Sequence, residues 1–160
     1  MINVFFRRCG NTYREQHAAA YELLYAAAAL SGFKKEALIL CRTEEGKPYF
    51  KGEGLPLFSL THSGDYAACS IGPLPSGIDL ERRREIPERV SRRFLGGATG
   101  EEALRRFTMR ESCGKLTGGG FFTGDRLPDG MRFFFFEQIP GYLLTLCAPA
   151  SEEIGQPRPL

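Results

Sequence analysis

The stretch Gly77-Ile78-Asp79-Leu80-Glu81 has the strict alternation of a β-strand. Ile78 and Leu80 alternate with Asp79 and Glu81, and successive side chains of a strand point to opposite faces. Both carboxylates are therefore expected on one face and both apolar side chains on the other. The pattern predicts a strand over residues 78–81 that carries two acids side by side.

A helix predicted over residues 101–116 carries a complementary pattern. In Phe107-Thr108-Met109-Arg110-Glu111-Ser112-Cys113-Gly114-Lys115, the residues Phe107, Glu111 and Lys115 recur every four positions and form one stripe. Mg²⁺ in proteins prefers a few carboxylates, several waters and the phosphate oxygens of a substrate. Three acids and a lysine brought together from this strand and this helix would suit a hard divalent cation and a phosphate-rich substrate.

Each of these features also has a purely structural interpretation. Asp79 and Glu81 alone would be unremarkable on a solvated edge strand. Glu111 and Lys115 alone are an ordinary i,i+4 helix pair worth ~0.3–0.5 kcal/mol. The combination with further phosphate-binding signals is what favours a site.

Two turns supply such signals. Gly46-Lys47-Pro48 places a lysine in a predicted turn, where plain exposure is the alternative. Thr61-His62-Ser63-Gly64-Asp65 is also predicted to be a turn, and its hydroxyls and imidazole would most simply cap the backbone. A histidine there is more often a hydrogen-bonded structural residue than a catalyst, but beside a pyrophosphate it would donate to a phosphate oxygen.

Composition excludes several classes of protein. The 160 residues are 42% hydrophobic, which suffices for a core, and the net charge of +2 is too small to argue for nucleic acid. The arginine clusters are interleaved with glutamates, as on solvated helix faces. No apolar run reaches membrane-spanning length, and the apolar N-terminus is too short for a signal sequence. The five cysteines are scattered without a C-x-x-C pair, which favours buried thiols in a reducing compartment and hence a cytoplasmic protein.

Periodicity and turn residues predict an α+β fold. The predicted helices span residues 13–30, 87–95 and 101–116, and the predicted strands span residues 2–7, 37–41, 49–50, 57–61, 66–71, 78–81, 121–122, 132–138 and 142–148. The proline-rich stretch 72–76 divides the chain into an N-terminal half, 1–74, and a C-terminal half, 75–150, that carries the acids. Residues 151–160 are predicted to be a flexible tail.

Five segments, taken in this order, resemble the 4′-phosphopantetheinyl transferase superfamily. They are Gly46-Lys47-Pro48, Phe58-Ser59-Leu60-Thr61-His62-Ser63, Gly77-Ile78-Asp79-Leu80-Glu81, Arg93-Phe94, and Phe107-Thr108-Met109-Arg110-Glu111-Ser112 with Lys115 and Gly118. The similarity is to the two-lobed, surfactin-synthetase-activating branch, of which this chain would be a short variant. Each motif is weak alone, but together and in register they are specific.

The resemblance implies two pseudo-duplicated α+β halves in one chain, with the active site at their junction and a monomer acting as a pseudo-dimer. It implies that coenzyme A donates its phosphopantetheine arm to a serine of an acyl or peptidyl carrier protein and that 3′,5′-adenosine bisphosphate leaves. The alternative is a non-catalytic relative that binds coenzyme A as a regulatory module. Neither a particular carrier nor a pathway follows from the resemblance.

The resemblance also implies roles for individual residues. Asp79, Glu81 and Glu111 would hold Mg²⁺, and Lys115 would neutralise charge on the transferred phosphoryl group. Glu101 would be a candidate base for the serine proton, with a water on the metal as an equal candidate.

The coenzyme A-binding residues implied in the same way are Lys47, Thr61, His62 and Arg42, together with Lys115. Three positions depart from the family pattern: Phe107 stands where tryptophan is common, Arg110 replaces a lysine, and Thr61 replaces a serine. An arginine keeps the charge of a lysine but changes the geometry of its contacts.

Overall fold

The fold is described from a computed structural model of residues 1–160. The helices are α1 (Tyr13–Leu30), α2 (Glu88–Phe94) and α3 (Gly100–Thr117), with short 3₁₀ helices at Lys35–Ala37 and Phe121–Thr123. The strands are β1 (Asn3–Arg8), β2 (Leu40–Arg42), β3 (Pro48–Phe50), β4 (Leu57–Ser63), β5 (Tyr66–Gly72), β6 (Gly77–Arg82), β7 (Met131–Phe136), β8 (Tyr142–Pro149) and β9 (Arg158–Pro159). The predicted α+β class is confirmed. No helix is long and apolar enough to cross a membrane.

The strands form three sheets. A four-stranded sheet has the order β4-β5-β1-β9, a three-stranded sheet has the order β6-β8-β7, and β2 and β3 form a hairpin. All pairings are antiparallel except that of β9 with β1. β4 and β6 are therefore both edge strands, and they lie against each other.

Helix α1 packs on the four-stranded sheet. Thr12 and Glu15 close its N-terminus with a capping box, since the Thr12 hydroxyl accepts from the Glu15 amide while the Glu15 carboxylate accepts from the Thr12 amide. The apolar stripe of the helix, including Leu23 and Leu24, is buried against Phe5 of β1. The predicted bounds of this helix are those of the structure.

Helix α3 packs on the three-stranded sheet and is held close to β6 by a glycine. A Cβ atom on Gly77 would overlap the carbonyl oxygen of Ser112, so only glycine permits this approach. Ile78 and Leu80 point away from the helix into a core that also contains Val4 of β1. The alternation predicted for β6 is confirmed, and the two larger sheets share one core.

Two predicted elements are wrong near the middle of the chain. Residues 61–63 were expected in a turn, but β4 continues through Ser63 and only Gly64-Asp65 turn the chain. Residues 121–122 were expected in a strand, but they lie in a 3₁₀ turn. The Arg110 guanidinium donates to the carbonyls of Phe121 and Phe122, which fixes that turn against α3.

The C-terminal segment corrects a third prediction. Residues 151–160 were expected to be a flexible tail, but Ile154 forms a bridge with Ile2 and β9 pairs with β1. The N-terminal ammonium group also forms an ion pair with Glu152. The physical reason is that β1 would otherwise be an edge strand with unpaired backbone groups, and this segment supplies their partners.

Candidate active site

Asp79 is the buried centre of the site. Its side chain on β6 is only 5% exposed, and the Lys115 ammonium of α3 donates to its Oδ1 at 2.7 Å. The second carboxylate oxygen, Oδ2, is buried and has no hydrogen-bond partner. Buried carboxylate oxygens nearly always have a partner, so this oxygen marks a position suited to a donor or a cation.

Glu81 and Glu111 lie in the electrostatic field of Asp79. Burial, and then the charge of Asp79, raise the pKa of Glu81 to about 6, although Arg84 and Lys115 oppose the rise. The same two causes raise the pKa of Glu111, again opposed by Lys115. The strand and the helix therefore bring Glu81 and Glu111 within electrostatic reach of Asp79.

The three carboxylates do not converge on a single point. No group of three or more histidine, cysteine, aspartate or glutamate side chains is placed to hold a metal ion. The protein's own cations pair with one oxygen on each of two of these acids, since Lys115 contacts Asp79 Oδ1 and the Arg84 guanidinium donates to Glu81 at 3.3 Å. The expected three-carboxylate cluster is thus not formed by these side-chain positions.

A cleft of about 270 Å³ opens beside this group of acids. One wall is the turn before β3 together with β4, and the opposite wall is the C-terminal end of α3. That end is shaped by Gly118, which has φ +86° and closes the helix in the left-handed conformation. The polar and glycine residues of the lining are Glu45, Gly46, Lys47, Ser59, Gly114, Lys115, Gly118 and Gly120.

Lys47 and Lys115 face this cleft from opposite walls. The Lys47 ammonium donates to the carbonyl of Leu116 at 2.7 Å, at the electronegative end of α3, and burial lowers its pKa. Lys115 reaches from the same end of the helix to Asp79. Two cationic groups therefore border a cavity whose walls are otherwise rich in glycine.

Thr61 and His62 point in different directions because they are neighbours on a strand. The Thr61 hydroxyl accepts from the Leu80 amide at 3.1 Å and lies 3.4 Å from Asp79 Oδ1, so it faces the acids. His62 packs against Tyr13 of α1, with ring centroids 5.7 Å apart, and is not among the cleft-lining residues. Burial and, to a smaller degree, the charges of Lys115 and His17 lower the pKa of His62.

Arg42 and Glu101 lie outside the cleft. The Arg42 guanidinium donates to the Gly46 carbonyl and to the Tyr21 hydroxyl, both at 2.9 Å, so it supports the turn that carries Lys47. Glu101 is exposed in the first turn of α3 and pairs with Arg83. It precedes Glu111 by ten helical residues, which is about 15 Å along the axis. The structure does not bring Glu101 to the acids, and a base at this position stays a prediction.

Three hydroxyls join β4 to β6, a connection that the sequence analysis did not predict. Ser59, Thr61 and Ser63 accept from the amides of Ile78, Leu80 and Arg82, each at 3.1 Å. We call this set the hydroxyl ladder. Its sequence signal is the alternation of small hydroxyl residues along an otherwise apolar strand, a period of two that a turn does not require.

The sequence comparisons point to one class of enzyme, the 4′-phosphopantetheinyl transferases. The chain is 29% identical over 99 residues to 4′-phosphopantetheinyl transferase psf-1 of Bacillus pumilus, which covers 54% of this chain and 42% of that protein. It is 24% identical over 135 residues to 4′-phosphopantetheinyl transferase Sfp of Bacillus subtilis strain 168, which covers 66% of this chain and 60% of that protein. No family model matches.

These two relatives confirm the resemblance to the superfamily and to its surfactin-synthetase-activating branch. The similarity extends over about half the length of the curated relatives. The chain is thus a sequence relative of the phosphopantetheinyl transferases.

Proposed function

We propose that this chain transfers the 4′-phosphopantetheine arm of coenzyme A to a serine of an apo carrier protein. The serine oxygen would form a bond to the phosphorus that carries the pantetheine arm. The phosphorus–oxygen bond to 3′,5′-adenosine bisphosphate would break, and the serine proton would pass to a base. The observation that carries the proposal is the unpartnered, buried Oδ2 of Asp79, next to Lys115 and a lysine-bordered cleft.

We also propose the two-lobed fold, with halves at 1–74 and 75–150 and the substrate at their junction. Helices α1 and α3 are both 18 residues long, and each packs on a mainly antiparallel sheet. The cleft is lined by residues 45–60 from one half and by residues 114–120 from the other. This arrangement supports a pseudo-duplicated fold with a shared site.

Mg²⁺ fits the residues of the site. Asp79 has a buried oxygen without a partner, and the pKa values of Glu81 and Glu111 are raised first by burial and then by the charge of Asp79, an effect that a bound cation would offset. The lack of a three-carboxylate cluster does not count against Mg²⁺, because this ion is usually held by one or two carboxylates with waters and substrate phosphates. When bound, Mg²⁺ would neutralise charge on the pyrophosphate.

The chain's own residues would bind the phosphates, neutralise the developing charge and accept the proton. Lys47 and Lys115 would bind phosphate oxygens from opposite walls of the cleft, and Lys115 would offset charge that develops on the transferred group. Glu111 is one candidate to accept the serine proton, because a carboxylate with a raised pKa is a stronger base than an ordinary one. Arg42 would hold the Lys47 turn in place.

Mass spectrometry of a carrier protein tests the proposal. Incubation of an apo carrier with coenzyme A, Mg²⁺ and the wild-type chain should add the mass of one phosphopantetheine, and EDTA should prevent it. Asp79→Ala should abolish the addition, whereas Asp129→Ala, which removes an exposed aspartate of a loop, should not. Circular dichroism would show that both variants are folded. Binding of coenzyme A without transfer to any acyl or peptidyl carrier would instead favour the non-catalytic binding module.

A further inference from the structure

The hydroxyl ladder is the joint between the strand that carries the acids and the neighbouring sheet. β6 is an edge strand, and its amides at Ile78, Leu80 and Arg82 point away from β8. β4 pairs through its backbone with β5 on its other edge, and toward β6 it is the side-chain hydroxyls that accept from these amides. The two sheets are thereby held in register without a continuous backbone ladder.

The middle rung of the ladder differs from the outer two. The Thr61 hydroxyl accepts a hydrogen bond from the Leu80 amide, and this amide belongs to the peptide group that directly follows Asp79. The same hydroxyl lies 3.4 Å from Asp79 Oδ1, which is long for an O–H···O hydrogen bond. Thr61 is only 5% exposed and, unlike Ser59, is not among the residues that line the cleft.

We propose that Thr61 is a positioning residue, which fixes the peptide after Asp79 and so orients the Asp79 carboxylate toward the divalent cation. The proposal rests on the proposed function and departs from the sequence-based assignment of Thr61 to coenzyme A binding. A residue that binds the ligand would present its hydroxyl to the cleft. The Thr61 hydroxyl accepts from the Leu80 amide, and its single proton is directed toward Asp79 Oδ1 rather than toward the cleft.

Valine replaces threonine with nearly the same shape and no hydroxyl, so Thr61→Val isolates the effect of this group. Hydrogen exchange followed by NMR should show the Leu80 amide of the wild-type chain protected, and in T61V its exchange should be faster by roughly tenfold or more. Thr61→Ser keeps the hydroxyl and should restore protection. Ser63→Ala is the matched control, because it removes the hydroxyl that accepts from the Arg82 amide. It should speed hydrogen exchange at the Arg82 amide and leave the Leu80 amide protected.

Calorimetry separates positioning from ligand contact. In EDTA, T61V should bind coenzyme A as tightly as the wild-type chain. In Mg²⁺, it should lose most of the gain in coenzyme A affinity that the metal confers, and T61S should recover that gain. Weaker coenzyme A binding in EDTA with an unchanged Leu80 exchange rate would overturn the proposal and assign Thr61 to the ligand.

Two further outcomes keep the tests distinct. If the wild-type chain binds no coenzyme A, the proposed function fails, but Leu80 exchange in the wild-type chain and its variants still decides whether the ladder exists. If T61V does not fold, a rapidly exchanging Leu80 amide in the wild-type chain alone would overturn the proposal. A slowly exchanging Leu80 amide in the wild-type chain, together with an unchanged effect of Mg²⁺ on the coenzyme A affinity of S63A, would support the proposal.

Discussion

Replacing Lys115 by methionine removes the ammonium that contacts Asp79 while keeping a side chain of similar length. The Asp79 carboxylate is 5% exposed and would be left buried without its charge partner, whereas Lys115 itself is 29% exposed. Breaking a buried ion pair from one side costs about 3–5 kcal/mol. Because Lys115 is partly solvated, we expect the free energy of unfolding in EDTA to fall by about 3 kcal/mol, the lower end of that range.

Urea unfolding with linear extrapolation measures this loss, and a double variant supplies the control. Asp79→Asn combined with Lys115→Met removes both charges and should recover most of the stability. Saturating Mg²⁺ should stabilise K115M, since a bound cation would replace the missing charge, and it should not stabilise the double variant. A loss below about 1 kcal/mol in K115M would contradict the reasoning. So would an equal response of both variants to Mg²⁺.

Three other predictions concern pH, coenzyme A and the carrier. The folded state binds the Glu81 proton more tightly than the unfolded state, so protonation of Glu81 stabilises the fold. In EDTA this contribution to the free energy of unfolding is complete below pH 4.5 and is lost as the pH rises through about 6. The loss should be roughly 2 kcal/mol, and Glu81→Gln should remove it from the urea-unfolding profile. Lys47→Ala should weaken coenzyme A binding by roughly tenfold in calorimetry, and His62→Ala, which alters a residue outside the cleft lining, should weaken it less. Equal wild-type affinity in both would remove these two residues from the site. Reversing Arg92 and Arg93 to glutamate should raise the KM for an acidic carrier and leave that for coenzyme A unchanged, because complementary charge mainly sets encounter rate and specificity. A parallel change in both KM values would count against docking there.

The parts of the fold that were predictable depend on local patterns. Asp79 and Glu81 could be placed on one strand face because the alternation of side chains is strictly local. The bounds of α1 follow from a run of helix formers that begins after Thr12 and ends before Gly32. The i,i+4 stripe of α3 likewise placed Glu111 and Lys115 together.

The parts that were missed depend on distant partners. The segment Thr61-His62-Ser63 has the composition of a turn, but its hydroxyls satisfy an edge strand that comes nearly twenty residues later. The Phe121 and Phe122 carbonyls are fixed by Arg110, and residues 151–160 by β1. The position of Glu101 relative to the acids could not be predicted, because its distance from them follows from the length of α3 rather than from local sequence.

The coupling between Mg²⁺ and coenzyme A tests most directly the claim that Asp79 brings a divalent cation to a phosphate-bearing substrate. Calorimetric titration of coenzyme A should give an affinity at least about tenfold higher in Mg²⁺ than in EDTA for the wild-type chain, since a cation shared between Asp79 and the pyrophosphate is a charge-assisted link. In Asp79→Asn the two affinities should be equal. The account would be contradicted if the coenzyme A affinity of the wild-type chain were the same in Mg²⁺ and in EDTA, or if Mg²⁺ raised the affinity of D79N as much as that of the wild-type chain.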